Sequence, residues 1–177
     1  MSMCKDCPKF NVHDDYYTPK SAWENINHLI PKDKVIWEAC MLNSHKSKSP
    51  EYLEDLGHKV VHNKEWDILN NQPEHFDMII TNPPFETKIK KQILQRLVEI
   101  DKPFIILLNT MNTFTKYMRE IFKGKLNDLQ IITPSTKINY EKLDYDTNEL
   151  IPTKNCSFYC IYLCYKMDLS PQDLWLD

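Results

Sequence analysis

Short apolar runs alternate with segments of helical period along most of the chain, and this alternation is the strongest constraint on its fold. The apolar runs that we predict as strands lie at residues 33–39, 58–62, 76–81, 104–108, 129–133 and 156–165. The segments that we predict as helices lie at residues 49–56, 86–100 and 115–123. Strands separated by helices of this length indicate a parallel sheet with helices on both faces.

The last third of the chain departs from this alternation. No helix is predicted between residues 129 and 165, which favours an antiparallel ending of the sheet. Residues 137–155 are polar without an apolar period, so we expect a loop or an excursion there. The strand at 156–165 is apolar on both faces and should be central or covered. We therefore predict an α/β, Rossmann-like fold with a mostly parallel sheet of the seven-stranded type and an antiparallel last strand.

A chain of 177 residues suits one domain, which we place at residues 16–166. Residues 1–15 are expected to form an N-terminal extension and residues 167–177 a C-terminal tail. Both ends are predicted to be loosely attached.

Composition excludes several classes of function. The net charge of -3 provides no global basic field for non-specific nucleic-acid binding. The chain has two glycines, Gly57 and Gly124, which excludes a P-loop and a G-x-G-x-x-G turn. The apolar runs are too short to span a bilayer, and no secretory signal is visible. We therefore expect an intracellular protein, in the cytoplasm or the nucleus, that has no membrane partner. A viral origin is left open.

The six cysteines are expected to be thiols, since disulfides are rare inside cells. The Cys4-x-x-Cys7 pair has half the ligands of a zinc site, which His13 and Cys40 could complete, but a flexible thiol-bearing end is favoured. The cysteines of the last strand fit small core positions better than metal ligands; they are Cys156, Cys160 and Cys164. No metal site is predicted.

The segment Thr81-Asn82-Pro83-Pro84-Phe85 follows a predicted strand and precedes a predicted helix. In parallel α/β sheets, ligands bind outside the carboxyl ends of the strands. The two prolines fix the backbone and lack N–H donors, so the carbonyls of Asn82 and Pro83 can accept hydrogen bonds from a ligand. Together with the Asn82 side chain and the Phe85 ring, this arrangement suits a planar base that carries an exocyclic amine.

The N-P-P-F sequence resembles the motif of amino-group methyltransferases that use S-adenosylmethionine, above all the DNA adenine-N6 enzymes. The resemblance implies a methyltransferase fold and Asn82, Pro83, Pro84 and Phe85 as catalytic residues. Asn82 and the Pro83 carbonyl would orient the amine, and Phe85 would stack on a base flipped out of the duplex. The alternative, a proline-capped strand end before a helix, stays open.

Three further segments, all before N-P-P-F in the chain, also resemble this family. Their order is that of the N6-adenine class in which the cofactor-binding half precedes the catalytic half. Tyr16-Tyr17-Thr18-Pro19 is similar to the Y-T-P element that lines the methionine end of the cofactor. Residues 35–38 are similar to the first strand with its terminal acid, and residues 66–69 to the segment whose aspartate takes the adenine amino group of the cofactor. The resemblance, over about residues 14–165, implies S-adenosylmethionine as cofactor. The implied cofactor-binding residues are Tyr17, Thr18, Pro19, Glu38, Ala39, Cys40, Asn63 and Asp67.

The glycine loop of the family is degenerate in this chain. The family reads E/D-P-x-x-G-x-G after the first strand, whereas Leu42 and Ser44 stand about where the glycines should be. Asn63 lies near the position of the acid that holds the cofactor ribose. Side chains at positions that require close approach or positive φ are costly, so these departures predict weakened cofactor binding. An alternative follows: a catalytically inactive methyltransferase-fold protein that binds nucleic acid or serves as a partner subunit.

A third hypothesis is methylation of another amide or amine, in a protein or in structured RNA. The Y-T-P element favours DNA, with RNA less favoured as a partner. We expect the basic residues on the predicted helices either to be solvated or to hold phosphates. Residues 137–142 are expected to form an exposed segment similar to the one that contacts DNA in the family. We expect no large recognition domain, so specificity should be limited or supplied by a protein partner. The candidate nucleic-acid-binding residues are Lys88, Lys116, Arg119, Lys137 and Tyr140.

Overall fold

The computed structural model describes residues 16–40, 47–62, 68–144, 146–153 and 156–176. Its strands are β1 (Val35–Trp37), β2 (Lys59–Val61), β3 (Met78–Thr81), β4 (Phe104–Asn109), β5 (Leu129–Ile132), β6 (Glu141–Asp144), β7 (Glu149–Pro152) and β8 (Cys160–Tyr165). Its α-helices are α1 (Lys20–Glu24), α2 (Ser49–Asp55), α3 (Thr87–Ile100) and α4 (Lys116–Ile121). Each of the predicted strands and helices is present with shorter bounds, except β4, which extends one residue further, to Asn109.

Six strands form the main sheet in the order β2-β1-β3-β4-β8-β5. Strands β2, β1, β3 and β4 are parallel to one another, and β8 runs antiparallel between β4 and β5. This confirms the predicted α/β, Rossmann-like fold with a mostly parallel sheet and an antiparallel last strand. The sheet has six strands, and the seventh strand of the predicted type has no counterpart among the described residues.

Alternate residues of the strands pack on opposite faces of the sheet, as the period of two requires. Ile80 of β3 faces a core that includes Trp23 of α1 and Leu53 of α2. Ile79 faces the second core, which includes Leu94 of α3 and further residues of α3 and α4. Cys156, Cys160 and Cys164 are buried free thiols in the first core, as predicted. Among the described residues, no group of His, Cys, Asp or Glu has an arrangement that could hold a metal ion.

Residues 137–155, predicted as a loop or excursion, contain a two-stranded antiparallel hairpin of β6 and β7. Its strands are half-buried or exposed along their length, so they lack the apolar alternation that identifies a strand in sequence. Tyr17 forms an isolated antiparallel bridge with Glu141, with N–H to O distances of 2.9 Å in both directions. The hairpin therefore holds the start of the described chain.

The predicted C-terminal tail is attached to β5 as far as it is described. Thr133 accepts a hydrogen bond from the N–H of Leu176 at 3.1 Å and donates one to the carbonyl of Leu174 at 2.8 Å. The Gln130 side chain donates to the carbonyl of Leu169 at 2.7 Å. The predicted extension, residues 1–15, lies outside the described residues. No helix in the described ranges combines the length and the apolar character needed to cross a membrane.

Candidate active site

The strand order reverses between β1 and β3, because β2 lies on one side of β1 while β3 and β4 lie on the other. Ligands of open α/β sheets bind at such a switch point, outside the carboxyl ends of the strands. Glu38 directly follows β1 and Asn82 directly follows β3. The register Trp37 to Ile79 sets these ends side by side, so the fold brings Glu38 beside the strand end that precedes the N-P-P-F motif.

Glu38 is 3% exposed, and its carboxylate is engaged within the protein. Its Oε1 accepts a hydrogen bond from the hydroxyl of Thr81, and a second from the N–H of Cys40 at 3.1 Å. Burial raises the pKa of Glu38 to about 7, and the hydrogen bonds partly offset this effect. These contacts join the ends of β1 and β3 and shape the turn that follows β1. A direct role for Glu38 in cofactor binding stays a prediction.

We expect the free energy of unfolding to fall as the pH rises from about 4.5 to about 7, because the Glu38 pKa is raised in the folded state. Below about pH 4.5 the Glu38 carboxyl is protonated in both the folded and the unfolded state. Between about pH 4.5 and 7 it ionises in the unfolded chain first, which favours unfolding. Above about pH 7 the free energy of unfolding has fallen by about 3 kcal/mol. Urea unfolding of Glu38→Gln should show a flatter pH profile than the wild type. The exposed Glu54→Gln serves as control, and equal slopes for Glu38→Gln and the wild type would contradict the assignment.

The residues of the N-P-P-F motif differ in burial. Pro83 is buried, whereas Asn82, Pro84 and Phe85 are half-buried. An open cleft of about 430 Å³ lies between the start of α3 and the turn after β4. Of the four motif residues, all within the described chain, only Phe85 lines this cleft. The motif thus stands at the border between the switch point and the cleft.

Phe85 belongs to a cluster of four aromatic rings. Its ring centroid lies 4.9 Å from that of Phe158, 5.7 Å from Tyr16 and 5.9 Å from Tyr140. Tyr140 is fully buried, and its hydroxyl donates a hydrogen bond to the Cys160 Sγ at 3.2 Å. The prediction of an exposed Tyr140 is therefore wrong, because the hairpin turns its ring into the cluster.

Tyr16, the residue before Y-T-P, contacts the N-P-P-F motif, although it was not predicted as a site residue. Tyr16 packs on Phe85 and Phe158. Tyr17 pairs through its backbone with Glu141, and the buried Thr18 and Pro19 follow. The predicted contacts of Tyr17, Thr18 and Pro19 with a cofactor stay predictions.

A buried polar group that lines the cleft was also missed. Lys90 is 4% exposed, and its Nζ donates to the Oδ1 of Asn112 at 3.2 Å. The Tyr117 hydroxyl donates to the same oxygen, and the Asn112 Nδ2 donates to the Asn109 carbonyl at 2.8 Å. Basic residues on the predicted helices, Lys90 among them, are expected to be solvated or to hold phosphates, whereas the Lys90 side chain is buried. Its position three residues before Ile93 and four before Leu94 places it on the apolar face of α3, which was the available signal.

The other predicted nucleic-acid contacts lie on α3, on α4 and in the segment before β6. Lys88, Lys116 and Arg119 are exposed on α3 and α4, and Lys116 forms an exposed ion pair with Glu120 at 3.3 Å. Lys137 donates to the carbonyl of Cys156, and its Nζ lies 4.9 Å from the centroid of the Tyr159 ring. The structure does not show these residues gathered into one patch with the buried Tyr140.

The cofactor half of the predicted site is described only in part. Ala39 is buried and Cys40 is half-buried in the turn after β1. Asn63 and Asp67 lie outside the described residues, as do Leu42 and Ser44. Their predicted roles therefore stay predictions.

Comparison with known proteins finds no family model and no curated protein that matches the chain. Among solved structures, a precorrin-6y C5,15-methyltransferase from Geobacter metallireducens GS-15 is 13% identical, with a TM-score of 0.41 over 82% of this chain and 87% of that one. A TehB-like SAM-dependent methyltransferase from Corynebacterium glutamicum has 13% identity and a TM-score of 0.37, over 81% and 85% of the two chains. A SAM-dependent O-methyltransferase from Thermotoga maritima has 13% identity and a TM-score of 0.38, over 82% and 64%. Similarity this low carries no argument about ligand or activity, so the assignment of an α/β, Rossmann-like fold rests on the order and direction of the strands.

Proposed function

We propose that this chain transfers a methyl group from S-adenosylmethionine to the N6 amine of adenine in DNA. The observation that carries the proposal is the placement of Asn82-Pro83-Pro84-Phe85 directly after β3, at the switch point of the sheet. Glu38, at the end of the neighbouring β1, is hydrogen-bonded to Thr81, the residue before the motif. The residue types of the motif and its position in the fold thus agree with each other.

The protein's part in this reaction is positioning. The Asn82 side chain and the Pro83 carbonyl would accept the two hydrogens of the amine and turn its nitrogen lone pair toward the methyl group. Direct attack needs no nucleophile from the protein, and correct orientation alone contributes several kcal/mol. The amine is unreachable in a stacked duplex, so the base must be flipped out or lie in single-stranded DNA.

S-adenosylmethionine would supply the electrophilic methyl group. The described residues fit a ligand at the switch point in one respect: Thr81 and Cys40 hold the Glu38 carboxylate and so fix the turn after β1 beside the motif. Tyr17, Thr18, Glu38 and Asp67 are the residues that we propose hold it.

The alternative function is that of an inactive methyltransferase-fold subunit that binds nucleic acid beside a protein partner. The observation that favours it is the sequence Leu42-Asn43-Ser44 in place of a glycine turn. Retained DNA binding without cofactor binding would support this alternative over methyl transfer.

The test is methyl transfer from labelled S-adenosylmethionine to oligonucleotides by the full chain. We expect label in single-stranded DNA that contains adenine, and none in the same strand with N6-methyladenine at every adenine. Label in RNA or in protein alone would redirect the proposal to the third hypothesis. No transfer to any of these substrates would overturn it.

Phe85→Ala should weaken binding to single-stranded or flipped-base DNA by about 1–3 kcal/mol, and binding to perfect duplex by less, because stacking on an aromatic ring requires an unpaired base. Fluorescence anisotropy with matched oligonucleotides measures both affinities. Trp175→Ala is the control, since Trp175 is exposed and lies outside the cleft. Equal losses on both substrates would argue against a base pocket at Phe85.

A further inference from the structure

Two segments that border the cleft expose large apolar side chains. Met111 is 70% exposed and Phe114 79%, both on the short 3-10 helix that follows β4, and Tyr159 is 66% exposed just before β8. The N–H and the hydroxyl of Thr110 both donate to the Tyr159 carbonyl at 2.9 Å, which joins the two segments. We refer to Met111, Phe114 and Tyr159 as the exposed platform. Both segments also line the cleft, so the platform adjoins it.

The short helix after β4 has the reverse of the usual burial pattern. Its polar Asn112 is buried, whereas the apolar Met111 and Phe114 are exposed. Polar side chains hold this conformation: the Asn109 side chain accepts from the N–H of Met111 at 2.9 Å, and the Asn112 Nδ2 donates to the Asn109 carbonyl at 2.8 Å. Exposed apolar side chains that are clustered, and not scattered singly, mark an interaction surface. The platform is therefore a candidate binding surface.

The charges around the platform decide between classes of partner. Residues 109–115 and 156–159, which carry the platform, contain neither aspartate nor glutamate. The Nζ of Lys137 lies 4.9 Å from the centroid of the platform's tyrosine ring, and the Nζ of Lys91 lies 4.8 Å from that of Tyr117, which lines the cleft. Within the described ranges, neither ammonium group forms an ion pair with a carboxylate. An apolar surface flanked by two cations fits a partner that is anionic and carries flat apolar groups.

A single strand of nucleic acid has both properties. Its unpaired bases present flat faces that stack on aromatic side chains, and its phosphates attract ammonium groups. In a duplex the bases stack on one another and these faces are covered. An acidic protein would also satisfy the charge. Continuity with the cleft beside Phe85 favours a strand, because a strand that places one base at the motif must continue across a neighbouring surface.

We propose that the exposed platform stacks unpaired bases of a single nucleic-acid strand that flank the nucleotide at the N-P-P-F motif, with Lys91 and Lys137 at the phosphates of this strand. The inference rests on the proposed function insofar as the strand is the one that holds the target adenine. Single strands of DNA and of RNA offer the same chemistry to the platform, and the test separates these two sources.

The test measures fluorescence anisotropy of labelled strands of about twelve nucleotides, titrated with the full chain at low salt. The strands are thymidine-only DNA, uridine-only RNA and abasic DNA; they contain no adenine, so their binding does not depend on methyl transfer. Phe114→Ala and Tyr159→Ala should each lower the affinity for thymidine-only DNA by about 5- to 100-fold, and the affinity for abasic DNA by less than about 2-fold. Tyr159→Phe keeps the ring and should restore the affinity.

The two lysines should behave differently from the platform. Lys91→Met and Lys137→Met should weaken the binding of thymidine-only and abasic DNA alike and reduce its dependence on salt, because both strands keep their phosphates. Leu126→Ala and Lys59→Met are the matched controls. Both residues are exposed and lie at the amino ends of β5 and β2, whereas the platform follows the carboxyl end of β4. These controls should change neither affinity.

A loss on thymidine-only DNA alone identifies a DNA strand, a loss on uridine-only RNA alone identifies an RNA strand, and either result supports the platform. Equal effects of Phe114→Ala on base-bearing and abasic strands, or no effect on any strand, would overturn it and leave the surface to a protein partner. Base-dependent binding by a chain that transfers no methyl group would leave this inference standing and refute the proposed activity.

Discussion

Asn82→Ala is expected to reduce methyl transfer to adenine by about 100-fold or more while the protein remains folded. Asn82 lies half-buried directly after β3 and, under the proposed function, would supply an acceptor at the reacting amine. Its loss removes an oriented hydrogen bond where the nitrogen lone pair must be aligned. Single-turnover transfer of labelled methyl to single-stranded DNA measures the effect, and circular dichroism checks the fold.

Two variants sharpen this test. Asn82→Asp keeps side-chain oxygens that accept hydrogen bonds and should retain more activity than Asn82→Ala. Asn127→Ala removes an exposed asparagine far along the chain and should leave the rate unchanged. If Asn82→Ala transfers methyl as fast as the wild type, the catalytic assignment of the motif is wrong.

The second large effect concerns the cofactor. We expect the wild-type chain to bind S-adenosylmethionine weakly on its own, so that methyl transfer requires a high cofactor concentration, and not at all under the inactive alternative. By the family's pattern, side chains at Leu42 and Ser44 would fill space that glycines leave open, and Asn63 would replace a carboxylate at the ribose. Backbone strain and one lost charged hydrogen bond together remove ~3–5 kcal/mol, a factor of several hundred or more in affinity.

Isothermal titration of the purified chain decides this point. A dissociation constant in the low micromolar range would show that the altered turn still makes a working pocket, and the inactive alternative would then be dropped. The double variant Leu42→Gly, Ser44→Gly should bind more tightly than the wild type. Ser135→Gly, at an exposed position after β5, is the control for glycine substitution in general.

The elements that sequence predicted well are those whose pattern is local. Strand β3 is a continuous apolar run followed by two prolines, and α3 shows its buried face at Ile93, Leu94 and Leu97. The antiparallel last strand followed from the lack of a helix before it. These features depend on residues close together in the chain.

The features that sequence missed depend on distant partners. The contact of Glu38 with Thr81 requires the register between β1 and β3, which no local pattern contains. Tyr140 is buried because Tyr16 and Phe158 surround it, from segments far apart in the chain. The burial of Lys90 could be predicted, since the residue lies on the apolar face of α3. Its hydrogen bond to Asn112, in a distant segment, could not.

The place of β8 in the sheet has a consequence for how a nascent chain acquires its structure. Among the described strands, β5 pairs with β8 alone, and β8 also covers all six residues of β4. Translation at ~5–20 residues per second leaves the open edge of β4 without this neighbour until residues 160–165 leave the ribosome, on the order of seconds. An open apolar strand edge is prone to pair with other chains. The interval before β8 is inserted is therefore the period of greatest risk of aggregation during synthesis.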